Sequence, residues 1–200
     1  EFEKSNFYLS LSNYLNPNFV FNLSLVTENL YQNKNYDKAK VILKNFDKDQ
    51  DFYYWYRLKK EAQIISKTDS QDEALNYIIS NFEKINNPNN KFIFDIANFY
   101  KNSKKYNEAI KYYSLIINSL EEDSQIKSDL LYRRGGSYER LKDYPNADKD
   151  LLHSLEINSD DAYVLNYLAY SWLERDYKIE KAFHMLEKAY ASKRNDPYII

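Results

Sequence analysis

The sequence predicts an all-α chain of stacked antiparallel helix pairs, an α-solenoid, on three observations. The first is a spacing. Small residues recur at Ser5, Ala39, Ala74, Ala109, Ala147 and Ala182, at intervals of 34, 35, 35, 38 and 35 residues. A single central core imposes no such period; helix pairs that each present one narrow contact to the next do. The second is the company each small residue keeps. A short polar introduction precedes it (NYDKAK, DSQDEAL, KYNEAI, DYPNAD), and a bulky residue stands four positions later at Leu43, Ile78, Tyr113, Leu151 and Leu186. A step of four places both on one helix face. The third is composition: 2 Gly and 4 Pro leave little turn chemistry for hairpins and argue against an all-β fold.

The clearest unit lies between Leu131 and Asp161. It reads as two helices of about fourteen residues around the break Lys142-Asp143-Tyr144-Pro145, with Gly135, Tyr138, Tyr144, Ala147, Leu151 and Ile157 on their inner faces. Before it, residues 1–19 form a half unit, the second helix of a pair whose first is missing, stopped at Pro17 because proline cannot continue a helix. The full units are 20–54, 55–89, 90–127, 128–161 and 162–196, and 197–200 open a further one, all within a single array. In the unit 20–54, Thr27 and Phe46 occupy small-residue positions, which predicts irregular packing. Ser70 with Glu73 predicts a capping box at the second helix of 55–89. The unit 90–127 is four residues longer than the norm, and the excess at 119–124 is either a lengthened helix end or a longer loop. Pro145 suits a helix's first turn, where its missing N–H has no partner to lose. The last full unit carries Leu168, Ala169, Trp172, Ala182, Leu186 and Ala189, with one extra turn residue near 176–180.

The totals set outer bounds. Hydrophobic residues make up 44% and aromatics 17%, enough to fold and too many for a disordered chain. A formal charge of −2 argues against broad electrostatic binding to nucleic acid. No apolar run approaches the roughly 18 residues of a membrane span, so no part of this segment inserts. Glu1-Phe2-Glu3-Lys4 leads into Phe7 and Leu9 without a signal-cleavage pattern. The absence of Cys excludes disulfides and cysteine zinc sites and fits a reducing or an oxidising compartment alike. The 21 Tyr fit an AT-rich coding bias.

Six occurrences of one pattern in near-constant register resemble the tetratricopeptide repeat (TPR) family, over essentially the whole chain. The segment from Asn166 looks like the later repeats of longer bacterial TPR proteins, several of which are exported or lipid-tethered. By that resemblance alone the setting is the bacterial cytoplasm or the cell envelope. Both ends fall mid-array, the expectation for a piece of a longer solenoid or for an ordered part that stops there.

The resemblance implies a right-handed α-solenoid of antiparallel helix pairs, a TPR superhelix of about eleven helices. First helices would line a concave groove that receives a peptide or a partner's helix, and second helices would form the convex back. The groove positions carry over to Tyr56, Lys59, Lys60 and Gln63, then Lys91, Phe94, Asp95 and Asn98. Asp129, Tyr132, Arg133 and Gly136 follow, and Tyr163, Asn166, Tyr167 and Tyr170 complete the set. Of the tyrosines, Tyr132 and Tyr167 are expected half exposed, and Tyr163 and Tyr170 further out. One subtype of the family clamps a C-terminal carboxylate. Its positions correspond here to Lys59, Gln63, Asp95, Asp129 and Arg133, and the two aspartates would repel such a ligand.

No catalytic constellation is present: no HExxH, no glycine-rich phosphate loop, no nucleophile elbow. Gly135-Gly136 follows no strand. Arg133-Arg134 reads as a surface ion-pair cluster with Asp129 and Glu139. His153 and His184 fall off the core-facing positions of second helices and read as solvated residues, not metal ligands. The expected function is a non-catalytic scaffold or adaptor for a protein or peptide partner, without cofactor or metal. The alternatives are a self-associating module, for which a homo-oligomer is the natural state, and a regulatory segment of a larger enzyme or envelope complex.

Overall fold

The computed structural model describes residues 2–16, 19–46 and 50–199, without the side chains of residues 2–6, 10 and 13. The side chain of the small residue expected at Ser5, the stop expected at Pro17 and the terminal Ile200 lie outside that set. The described residues form eleven helices and no strand. The chain divides into two compact units, Glu1–Asn87 and Pro88–Ile200.

The first unit contains α1 (Phe2–Leu15), α2 (Val20–Gln32), α3 (Tyr36–Leu43), α4 (Asp51–Thr68) and α5 (Gln71–Phe82), each packed against the next. Leu23, Ala39, Leu43, Phe46 and Ile64 make one buried cluster; a fully buried Leu or Ile contributes about 1.5–3 kcal/mol. The irregular packing expected here is present. Thr27 is fully buried and spends its hydroxyl on the Leu23 carbonyl at 2.8 Å. At 8 residues α3 is short, and Phe46, past its end, fills the core with its ring 5.0 Å from that of Tyr56. Ser70 Oγ accepts the Glu73 N–H at 3.1 Å, which starts α5.

The second unit contains α6 (Asn90–Asn102), α7 (Tyr106–Ser119), α8 (Gln125–Arg140), α9 (Tyr144–Ile157), α10 (Ala162–Leu173) and α11 (Ile179–Ser192). Here α7 packs on α6 and α8, α9 on α8 and α10, and α11 on α10. The recurring alanines Ala109, Ala147 and Ala182 are all fully buried. At the α8–α9 contact a Cβ on Gly135 would lie 3.0 Å from Leu151 Cγ and 3.3 Å from the Ala147 carbonyl, so the small residue is required by close approach. The excess in the 90–127 unit is mainly an added turn at the start of α8, which has 16 residues against 13 in α6 and 12 in α10.

Four helix-pair turns share one device. Lys34, Lys104, Lys142 and Asp176 adopt φ of 59, 58, 61 and 51°, the left-handed region usually given to glycine. The N–H of the next residue then reaches back to the Leu30, Tyr100, Tyr138 or Trp172 carbonyl at 2.8–3.0 Å. A chain poor in glycine closes its helices with lysine and aspartate, at about 1 kcal/mol of backbone strain each.

Candidate functional site

Of the four positions expected on α4, Tyr56 and Lys60 tie that helix to α2. The Tyr56 hydroxyl donates to the Ser24 carbonyl at 3.2 Å, and burial, with the Glu28 charge, pushes its pKa up to about 12. Lys60 is buried, its Nζ 2.6 Å from Glu28 Oε2 and 4.7 Å above the Tyr31 ring. Gln63 has a buried Oε1 without a hydrogen-bond partner, and Lys59 is half-buried.

The other expected positions lie on α6, α8 and α10 of the second unit. Arg133 bridges two helices: its Nε donates to Asp129 Oδ2 at 2.9 Å, one terminal nitrogen donates to Asn98 Oδ1 at 3.4 Å, and the guanidinium sits 5.1 Å over the Phe94 ring. Asn98 Oδ1 also accepts the Tyr113 hydroxyl at 2.7 Å. Lys91 is exposed and Asp95 half-buried. Arg134 corrects the sequence reading. It is not part of a surface cluster but reaches inward to α9, gripping Asp150 through two bonds of 2.6 and 2.7 Å, with Ser114 at 2.9 Å.

On α8 and α10 the tyrosines divide. Tyr132 and Tyr167 are half-buried and meet edge to face at 5.8 Å. The Tyr167 hydroxyl donates to Glu139 Oε2 at 2.8 Å; burial, and then that bond, raises its pKa well above the ordinary value. Tyr163 is 40% exposed, yet its hydroxyl donates to Asp196 at 2.7 Å and Lys193 lies 4.5 Å over its ring. Asn166 donates to the Tyr198 carbonyl at 3.1 Å, and Ile199 is buried with Ala162, Leu165 and Ala189. The segment after α11 therefore folds onto α10 and engages both residues. Tyr170 is 47% exposed, and its side chain meets no hydrogen-bond or ring partner among the described residues.

Two cavities open along the crevice between α6 and α8. One, of about 440 Å³, is apolar and lined by Phe94, Ile116, Ile126 and Leu130, with Lys91 and Asp129 at its edge. The added turn of α8 supplies Ile126, so the insertion builds one wall. The other, of about 430 Å³, lies at the helices' C-terminal ends among Lys101, Lys104, Tyr132, Gly136, Arg140 and Tyr167. Lys101 and Arg140 were missed from sequence. They stand three residues beyond Asn98 and four beyond Gly136, so the stripe expected from sequence, extended by one turn on each helix, reaches them.

His184 is exposed, as expected. His153 is not freely solvated: its Nε2 is 3.4 Å from Oδ2 of Asp123, in the α7–α8 loop, whose other oxygen holds Lys127 at 2.9 Å. Among the described residues no group of three or more His, Asp or Glu is placed to hold a metal. No described helix is long and apolar enough to cross a membrane.

No protein-family model and no curated protein matches the sequence. Solved structures do. A chain of the APC/C hetero-tetramer Cut9–Hcn1 is 15% identical with a TM-score of 0.68, over 100% of this chain and 38% of that one. MamA from Desulfovibrio magneticus RS-1 is 10% identical with a TM-score of 0.65, over 88% of this chain and 97% of that one. YrrB, described as a TPR protein with an unusual peptide-binding site, is 11% identical with a TM-score of 0.60, over 96% of this chain and 95% of that one. At these identities the likeness is one of fold. The chain is all-α and has the tetratricopeptide-repeat fold; it spans little more than a third of the Cut9–Hcn1 chain.

Proposed function

We propose that this chain is a non-catalytic scaffold that binds an extended segment of a partner protein along α6, α8 and α10, within a single array of the repeats 20–54, 55–89, 90–127, 128–161 and 162–196. The observation that carries the reading is the row Tyr132, Tyr167 and Tyr170 on neighbouring first helices, of which Tyr132 and Tyr167 line an open cavity. Aromatic side chains standing half out of a rigid surface are the usual energetic anchors of such contacts. The apolar cavity at Phe94 and Ile126 suits a large apolar side chain of the segment. The likeness of fold to a peptide-binding TPR protein supports the same reading.

The test is a random-peptide display selection against the full chain, followed by hydrogen-exchange footprinting of the strongest binder. Protection along α6, α8 and α10 is the expected result. A footprint confined to α1 and α2 moves the site out of this groove.

A second reading has an observation of its own. Phe7, Tyr8, Tyr14 and Leu15 on α1, with Phe21 on α2, are each more than 60% exposed. Large apolar side chains clustered in water mark association surfaces, and here a second copy of the chain is the proposed occupant. Sedimentation velocity over a hundredfold concentration range separates the readings: a constant monomer coefficient removes self-association and leaves the peptide groove untouched.

A further inference from the structure

The cavity at the C-terminal ends of α6 and α8 has charged lining of one sign only, Lys101, Lys104 and Arg140. Cations in a helix's last turn are ordinary, because the exposed carbonyls there favour them, and Lys104 and Arg140 are exposed to water. Lys101 is different. It is half-buried, and its ammonium has no hydrogen bond or ion pair among the described residues. Burial and then the Arg133 charge lower its pKa, against the pull of Asp129, and Arg140 lowers it further. Two nearby carboxylates are already committed, while Glu174, which shares a small cavity with Arg140, is exposed to water. Asp129 is held by Arg133 at 2.9 Å; Glu139 accepts the Tyr167 hydroxyl at 2.8 Å and lies 3.7 Å from Arg140.

Gly136 adds an independent observation. Unlike Gly135, it is not demanded by packing: the nearest atoms to a Cβ there would be the Tyr167 hydroxyl oxygen at 3.5 Å and ring carbons from 3.6 Å, ordinary contacts. What its missing side chain does is leave the cavity open. A desolvated ammonium without a counter-charge is unfavourable, and an anion entering beside Gly136 removes that penalty.

We propose that this cavity receives an acidic side chain, Asp or Glu, of the bound segment, paired with Lys101 and Arg140. The inference rests on the groove reading above and adds the chemistry of the ligand. It uses neither of the aspartates that argue against a clamp for a C-terminal carboxylate. A carboxylate fits better than a phosphate. Phosphate sites draw on backbone N–H groups at helix N-termini; of this cavity's lining only Tyr106 opens a helix, whereas Lys101, Asn102 and Arg140 stand in the last turns of α6 and α8, whose carbonyl ends disfavour a dianion. The spacing adds a constraint. From Ile126 to Gly136 the axis of α8 advances about 15 Å at roughly 1.5 Å per residue, which an extended chain covers in about four or five residues. The preferred segment therefore carries an apolar residue and an acidic one four or five positions apart.

The test is an NMR titration of the full chain with acetylated tetraglutamate, using tetraglutamine and inorganic phosphate as comparison probes. The Gly136 amide and Lys101 side-chain signals are expected to move saturably with tetraglutamate and to stay fixed with tetraglutamine. Lys101→Gln weakens the response at least tenfold while leaving the melting temperature unchanged or higher, since it removes an unpaired half-buried charge. Lys111→Gln, on the exposed side of α7, changes nothing. Immobile Gly136 signals, a response indifferent to Lys101→Gln, or tighter binding of phosphate than of tetraglutamate each overturns the assignment. The titration needs no partner. A positive titration with a display footprint elsewhere removes the groove reading alone; a footprint on α6 to α10 with a silent titration removes the acidic assignment alone.

Discussion

In the Pro88–Ile200 unit, the side chains of Asn89, Ser124, Asp143 and Asp161 accept first-turn N–H groups of α6, α8, α9 and α10. In the Glu1–Asn87 unit, only Ser70 does so among α2 to α5. The same contrast runs through the packing. Gly135, Ala147 and Leu151 meet in a close contact between α8 and α9, whereas α2 offers Thr27 at the matching position and α3 ends after two turns. Repeats that touch only their neighbours share no central core, so each pair keeps the stability its own contacts provide. The proposed binding face lies on the better-finished pairs. A surface that must hold anchors in fixed positions gains from a stiff support.

The largest test of this contrast uses one ion pair between helices from each unit. Asp150→Ala leaves Arg134, whose side chain is 16% exposed, without its counter-charge, and should cost about 3 kcal/mol or more. Lys60→Met leaves Glu28, whose side chain is 44% exposed and can rehydrate, and should cost about 1 kcal/mol or less. Urea unfolding of the two variants measures both, and equal costs would erase the distinction between the units.

Two adjacent glycines sharpen it within one helix. Gly135→Ala forces Leu151 and the α9 backbone to yield, and should destabilise by about 1 kcal/mol even after the gain in helix propensity. Gly136→Ala meets ordinary contacts and should stabilise by about 0.4–1 kcal/mol. Opposite shifts in melting temperature are the expected result; shifts of the same sign would place the close contact elsewhere.

The smallest stability effects concern caps. Asp161 accepts the N–H groups of Tyr163 and Val164, and Asp161→Ala should cost about 1 kcal/mol. Asn35 stands at the same kind of position before α3 but makes no side-chain cap bond. Asn35→Ala should therefore lie within about 0.5 kcal/mol of the parent, as read from the melting curves of both variants.

The period and the small residues made the helix order legible from the sequence, because a contact repeated every 34 to 38 residues leaves its mark at fixed positions. Ala39, Ala74, Ala109, Ala147 and Ala182 are all fully buried. Partners that depend on one particular pairing of helices leave no such mark. Arg134 reads from sequence like its half-buried neighbour Arg133, and only the packing of α9 brings Asp150 against it. The left-handed lysines in the turns were invisible because lysine does not announce that conformation. Tyr163 and Tyr170 were rightly expected to stand out, but the engagement of Tyr163 by Asp196 and Lys193 depends on how the segment after α11 folds back. Within the proposed site, the aromatic row was readable from spacing. The cationic cavity was not, since it depends on two helix ends meeting across a crevice.

That division makes Tyr170 the sharpest probe of the binding face. It is exposed, has no hydrogen-bond or ring partner to lose among the described residues, and lines a small cavity with Tyr167, Arg140 and Glu174. The measurement is the affinity of the display-selected peptide for the full chain and for Tyr170→Ala, by fluorescence anisotropy, with melting temperatures taken on the same samples. Loss of one aromatic anchor of about 2 kcal/mol predicts weakening of about thirtyfold with the melting temperature unchanged. Full-strength binding by the double variant Tyr163→Ala/Tyr170→Ala would contradict the account and move the site off α10.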